Sequence, residues 1–560
     1  MPKKINILLF LIVSLLIVTT VTVQSSFQHW SAQWDLDFWY IYNASLMSSG
    51  IQQEWYDHPG TTFLSIYSIF YKIYSFVDHS FIYKINEIKE ASDPDLVLQK
   101  LYFVTRIFDS INIILIVFFT FKISKILSSK DHFAYFLTFT LISSASFLNN
   151  LSILNPEDWA ILFFLISFYF FLNFYVQSNV NFLILSGLFF LFAFFSKINI
   201  LFLFFFIILL IPLFYEMYLP KNNSPIQKSL EKHFKLIFIS YLLILLFYFV
   251  IQIFLLGRLD AFQKNIGLDA FIIITINFLL MSFFIIISKF NLVKFKRYFS
   301  IFILFFSGFV IGLIIFVAID ILNIAKLNPK ILVHLVKPFY KMLNFAYAPE
   351  GLDSVMLGDA LTGNLTITIN KVFLVISKVF SNFYFDNFLF IGLCSIFLIS
   401  IYKDLKIKNT YSFLFKMIFF LGLVINTLIF NFRFYTEYLI YIHIFYVILL
   451  SACFKNISNK LINSFCTISI ICLTFFLPIN NFVSQPVSVD SRIAQTTSLK
   501  KILLTRSSKL IPLCNNFGSH QPPDNYFIFE RYSKQFDADT FSKICNLPKS
   551  RFRGDKYVLE

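Results

Sequence analysis

Residues 298–323 read YFSIFILFFSGFVIGLIIFVAIDILN, and Asp320 is the one charged residue in them. At about 1.5 Å of rise per residue, a helical run of this length spans the roughly 30 Å hydrocarbon core of a bilayer. Lys294, Lys296 and Arg297 stand just before it. Cations gathered on one flank of an apolar run mark the cytoplasmic end of a membrane helix. The reading that follows is an all-α polytopic membrane protein.

The whole chain agrees with this segment. Its 560 residues are 58% hydrophobic with a mean hydropathy of +0.74, whereas a soluble domain is nearer half apolar. Phe alone contributes 79 residues, and Ile, Asn and Lys are abundant beside it. That is the pattern of an AT-rich coding bias, so Phe clusters are not read as binding sites. The net charge of +15 is accounted for by Lys and Arg in cytoplasmic loops and does not call for a nucleic-acid partner.

Working outward, apolar runs predict about 13 spans of bilayer length. They lie near 5–24, 100–121, 132–149, 158–176, 180–195, 198–219, 234–256, 269–288, 298–323, 384–401, 412–431, 435–454 and 461–480. Together they make a transmembrane domain over 1–480. The first run follows Lys3 and Lys4 and lacks a good small-residue cleavage site, so it is read as an uncleaved helix with a cytoplasmic N-terminus. Alternate loops then fall inside and are short and Lys-rich, with one exception, QSNV. The opposite loops carry the acids and the length. These are chiefly 25–99, 324–383 and a periplasmic C-terminal region, 481–560. Within the first, 60–77 suits an outer-face amphipathic helix and 78–99 reads as a loop. Cys514 and Cys545 lie in the external region, where a disulfide is compatible with the compartment. The remaining cysteines lie in or beside apolar runs and read as inert.

The chemistry gathers on that outer face. Residues 34–60 read WDLDFWYIYNASLMSSGIQQEWYDHPG. Asp35 and Asp37 sit there among Trp30, Trp34 and Trp39, and Asp57 abuts His58 in a His-Pro-Gly turn. Carboxylates at a membrane boundary are costly and mark functional positions. Such a group suits a general base or a divalent cation. Because Asp35 and Asp37 are two apart, both reach one cavity only from an extended or irregular segment. Glu157 and Asp158 open a later span on the same face, where N-terminal capping is the plainer explanation. Arg433 lies between two late spans, suited to a phosphate or to pairing with Glu437. Arg106 and Lys197 are weaker candidates of the same kind. No span is read as rich in interior charge. There is no Walker loop, HExxH, GxSxG or CxxC, so nucleotide hydrolysis, zinc proteolysis and serine hydrolysis lack motif support.

These residues resemble the GT-C class of membrane glycosyltransferases. The branch is the bacterial one related to protein O-mannosyltransferases and lipid A aminoarabinose transferases. DFWYIYNASLMSSG and YDHPGTTFLSIYSIFYKI resemble its first outer loop, where Asp37 falls at the catalytic Asp and Phe38 replaces the usual Glu. Arg106 in LYFVTRIFDS, Asp158 in NPEDWAILFF, Lys197 in SKIN and Arg433 in FRFYTEYLIY resemble further family positions. The resemblance implies inverting transfer of one sugar from a polyprenyl-phosphate donor to a lipid, glycan or protein acceptor facing the periplasm, in the bacterial inner membrane. Asp37 would be the base, with Asp35 beside it. Asp158, Glu157, Asp57 and His58 would position the acceptor or a metal, and Arg433, Lys197 and Arg106 would hold the donor phosphate. If a cation takes part, Mg²⁺ or Mn²⁺ on Asp37 and Asp158 fits the ligand type; the branch need not use one. A flippase or exporter of lipid-linked glycans, and an O-antigen-type polymerase or ligase using the 324–383 loop, are the alternatives.

Overall fold

The computed structural model describes residues 3–27, 37–53, 60–142, 156–197, 200–218, 279–286, 291–328, 387–430, 439–455, 552–553 and 556–557, with isolated positions between them. The architecture is helical. Its only strands among the described residues form a hairpin of Phe552–Arg553 and Lys556–Tyr557. The N-terminal helices are α1 (Lys3–Phe27), α2 (Asp37–Ser48), α3 (Thr61–Val77), α4 (Ile85–Glu90), α5 (Pro94–Ser128) and α6 (Asp131–Ile142). Then come α7 (Pro156–Gln177), α8 (Val180–Ser196), α9 (Leu201–Tyr218) and α10 (Leu292–Ile321). The last are α11 (Asn387–Ile407), α12 (Thr410–Phe430) and α13 (Leu439–Phe454). Stretches of α5, α7 and α10 are long and apolar enough to cross a membrane, and shorter apolar helices lie in α1, α8, α9, α12 and α13.

Local sequence explains where these helices begin. Asp93 caps α5 by accepting from Leu96 N at 3.3 Å, with Pro94 in the first position. Asn291 caps α10 by accepting from Val293 N and Lys294 N at 3.0 and 3.1 Å. Both arrangements satisfy amide protons that a helix leaves orphaned. The Asp-Pro cap also corrects the reading of 78–99 as a loop, because α4 (Ile85–Glu90) and the start of α5 from Pro94 lie within it. With 35 residues, α5 is about 50 Å long and projects past any bilayer core. Of the expected span 132–149, α6 carries the residues up to Ile142, and most of those from 143 to 149 lie outside the described residues. The turns at 178–179 and Lys197 separate α7, α8 and α9 as the sequence predicts. The expected spans 234–256 and 461–480, most of the 324–383 loop, and Cys514 and Cys545 lie outside the described residues.

α8 and α10 cross at glycine. A Cβ on Gly187 would fall 1.7 Å from the Phe305 carbonyl oxygen, and one on Gly308 1.9 Å from that of Ile184. Small residues let helix backbones approach this closely, which is how helices pack where lipid removes the usual hydrophobic drive. Across α7 and α8, Ser167 Oγ donates to the Ser186 carbonyl at 2.7 Å.

The amphipathic expectation for 60–77 is met by α3. It buries Phe63, Leu64, Tyr67 and Tyr71, while Phe76 and Val77 are each 78% exposed. Lys72 Nζ donates to the Asn323 and Ile324 carbonyls at 3.0 and 2.6 Å, tying α3 to the end of α10. Lys326 N donates to Met47 O at 3.2 Å, and Asn328 Nδ2 to Gln53 O at 3.0 Å. The loops 25–99 and 324–383 therefore leave the bundle at the same end. At the opposite end Ser451 Oγ on α13 donates to Ser124 Oγ on α5 at 3.0 Å. There Lys416 on α12 pairs with Asp404 on α11 at 2.5 Å, both side chains fully buried.

Candidate functional site

The start of α7 and the end of α8 meet in a buried ion pair. Glu157 Oε1 lies 2.5 Å from Lys197 Nζ, with 3% and 4% of the two side chains exposed. Lys197 is the C-cap of α8, in extended conformation, so its side chain leaves the helix where α7 begins. Asp158 is fully buried beside Glu157. Tyr441, near the start of α13, is in electrostatic reach of both carboxylates. Three helix ends thus converge on two acids and one cation.

The next residue, Trp159, links this group to α3 and α5. Its Nε1 donates to Asp109 Oδ1 at 2.9 Å and lies 3.2 Å from the Tyr67 hydroxyl. Tyr67 in turn donates to the same Asp109 oxygen at 2.8 Å. Burial, then the Asp109 carboxylate, pushes the Tyr67 phenol well above its ordinary pKa, so it stays a donor. Arg106, one turn before Asp109 and in electrostatic reach of it, donates through Nη2 to the Leu151 carbonyl. Rings fill the space between: Trp159 stacks on Phe108 at 6.2 Å, and Phe108 on Phe70 at 3.9 Å.

Of the expected site residues, the structure brings Glu157, Asp158, Lys197 and Arg106 into this one region. It makes direct partners of Glu157 and Lys197, which the sequence assigned to different roles. Asp37 opens α2, so its backbone is helical rather than irregular; its side chain is outside the described ones. Asp35, Asp57, His58 and Arg433 also lie outside the described residues. Among those described, no group of three or more His, Cys, Asp or Glu is placed to hold a metal ion, and Glu157 is already occupied by Lys197.

Asp109, Tyr67, Trp159 and Tyr441 were not singled out in the sequence. A signal existed for Asp109, which lies three residues after Arg106 inside an apolar run. No span was expected to be rich in interior charge; α5 buries two charged residues, Arg106 near its outer start and Asp109 one turn on. No protein family, curated protein or solved structure matches this chain.

Proposed function

We propose that this protein is a membrane glycosyltransferase of GT-C type. It would have about 13 spans and move one sugar from a polyprenyl-phosphate donor to a periplasm-facing acceptor. The observation that supports it is the meeting of Glu157, Asp158, Lys197 and Arg106 at the bundle end that also carries α3 and the root of the first loop. A lipid-borne donor presents its phosphate at the membrane boundary, where this end would lie. Asp37 takes the proton from the acceptor hydroxyl as its oxygen attacks the anomeric carbon. The carbon–oxygen bond to phosphate breaks with inversion, and polyprenyl phosphate leaves. The leaving charge is what most needs stabilising, the task assigned to Arg433 with Lys197 or Arg106. For Lys197 this requires Glu157 to yield the ammonium to the phosphate, since the two are paired. Asp35, Asp158, Asp57 and His58 position the acceptor; Mg²⁺ or Mn²⁺ would act only as an added clamp.

A flippase for lipid-linked glycans is the second reading, favoured by the buried Arg106 and Asp109 within a span. Transfer from labelled polyprenyl-phosphate monosaccharides in reconstituted membranes separates the two. Transfer by the wild type and its loss, by about 10²-fold or more, in Asp37→Asn is the expected result. No transfer from any donor by folded protein, with glycolipid translocation intact in Asp37→Asn, overturns the proposal.

A further inference from the structure

We infer that Asp109 is a positioning residue, a buried carboxylate that fixes the acidic end of α7 through Trp159 and the interfacial helix α3 through Tyr67. The inference rests on the reading that Asp158 belongs to the working site. Asp109 is fully buried inside a helix long and apolar enough to cross a membrane, where a carboxylate is expensive to keep. It repays that cost by serving two donors that have need of it. An indole N–H and a phenol O–H buried in apolar surroundings each require an acceptor. Oδ1 of Asp109 accepts both, at 2.9 and 2.8 Å, and the two donors are themselves 3.2 Å apart. The result is a closed triangle joining α3, α5 and α7.

The triangle lies one peptide unit from Asp158. The Trp159 ring is also packed edge-on to Tyr67 at 5.9 Å and against Phe163 at 5.8 Å. Its indole therefore has little freedom while Asp109 holds the N–H. Because Asp158 is the preceding residue, the first turn of α7 inherits that constraint. On the other arm, Tyr67 continues through Phe63 at 5.5 Å to Tyr40 of α2 at 4.8 Å. α2 is the helix that Asp37 opens. One carboxylate thus references both acidic segments to the same span.

Asp109→Asn and Asp109→Leu test this as a pair. The amide keeps an oxygen where Oδ1 stands, so both donors retain their acceptor, and its nitrogen replaces the oxygen that neither donor uses. Leu has the same branching, is somewhat larger and accepts nothing. Two readouts are taken on folded protein isolated in detergent. The first is the rate of carbodiimide modification of Asp158, followed by mass spectrometry, which needs no assumption about activity. It should rise several-fold in Asp109→Leu and stay near wild type in Asp109→Asn. The second is transfer from a polyprenyl-phosphate sugar. There kcat should fall at least tenfold in Asp109→Leu with donor KM unchanged, and Asp109→Asn should restore it. The double variant Tyr67→Phe/Trp159→Phe should reproduce Asp109→Leu in both. If Asp109→Leu leaves the Asp158 rate unchanged, or leaves kcat per folded molecule unchanged in an active protein, the inference is wrong. If the wild type transfers nothing while the modification rates change as stated, the transferase reading fails and the positioning role stands.

Discussion

Glu157 and Lys197 are each nearly sealed from solvent, so removing one charge strands the other. A broken buried pair costs about 3–5 kcal/mol. Glu157→Gln should therefore lower the melting temperature of the detergent-solubilised protein sharply. The double variant Glu157→Gln/Lys197→Met should recover most of the loss. Equal melting of Glu157→Gln and wild type would show that the pair contributes nothing to the fold. Asp78 behaves differently because its side chain is partly exposed, at 27%. Lys100 at 2.8 Å, with Ser80 donating twice at 3.0 and 2.6 Å, holds its carboxylate down at about 2. An unfolded Asp ionises near 4, so the native state binds fewer protons between about pH 4 and 2. The stabilising effect of Asp78 is then fully present above pH ~4 and lost as pH falls towards 2. Asp78→Asn should destabilise slightly at pH 7, progressively less below pH ~4 and not at all once the pH is below about 2; a penalty that persists in acid would contradict this assignment.

The three glycines between α8 and α10 should not respond alike. At Gly187 and Gly308 the obstacle is a backbone carbonyl, which cannot move without separating the helices. At Gly312 the nearest atom is Leu191 Cδ2 at 2.5 Å, the far end of a flexible side chain. Gly187→Ala and Gly308→Ala are expected to cost about 1–3 kcal/mol or more, while Gly312→Ala should cost under ~1 kcal/mol as Leu191 changes rotamer. Thermal unfolding of the three variants in one detergent ranks them, and equal losses would disprove the close crossing. The glycines themselves are visible in SGLFF and SGFVIG, yet their pairing is not, because nothing local says which two of many apolar helices meet.

The bundle as a whole has two ends of different character. One collects α3, Glu157, Asp158, Lys197 and the roots of both long loops; the other collects Ser124, Ser451, Asp404 and Lys416. A protein crossing a membrane with a cytoplasmic N-terminus places the first end outside. In a background freed of reactive cysteines, Lys84→Cys should react with an impermeant maleimide added to the periplasmic side, and Lys406→Cys only after permeabilisation. Reaction of both from one side would end the proposed topology. The grouping of loop ends was legible in the alternation of Lys-rich and acid-bearing loops, since each apolar crossing must change sides. The site was legible only in part. Glu157, Asp158, Arg106 and Lys197 stand at run boundaries where charge is conspicuous, whereas Asp109 and Tyr441 are hidden within apolar runs.

Composition and the spacing of apolar runs by themselves determined that this is a helical membrane protein, that 61–77 forms an amphipathic helix, and which residues flank the helices. Those properties follow from local hydrophobicity and from the cost of leaving backbone groups unpaired in lipid. Tertiary structure alone decided that Lys197 meets Glu157, that Asp109 joins Tyr67 to Trp159, and that Gly187 faces Gly308. These are contacts between helices distant in sequence. They depend on how helices rotate and cross, and on which buried polar group finds the partner that makes its burial tolerable.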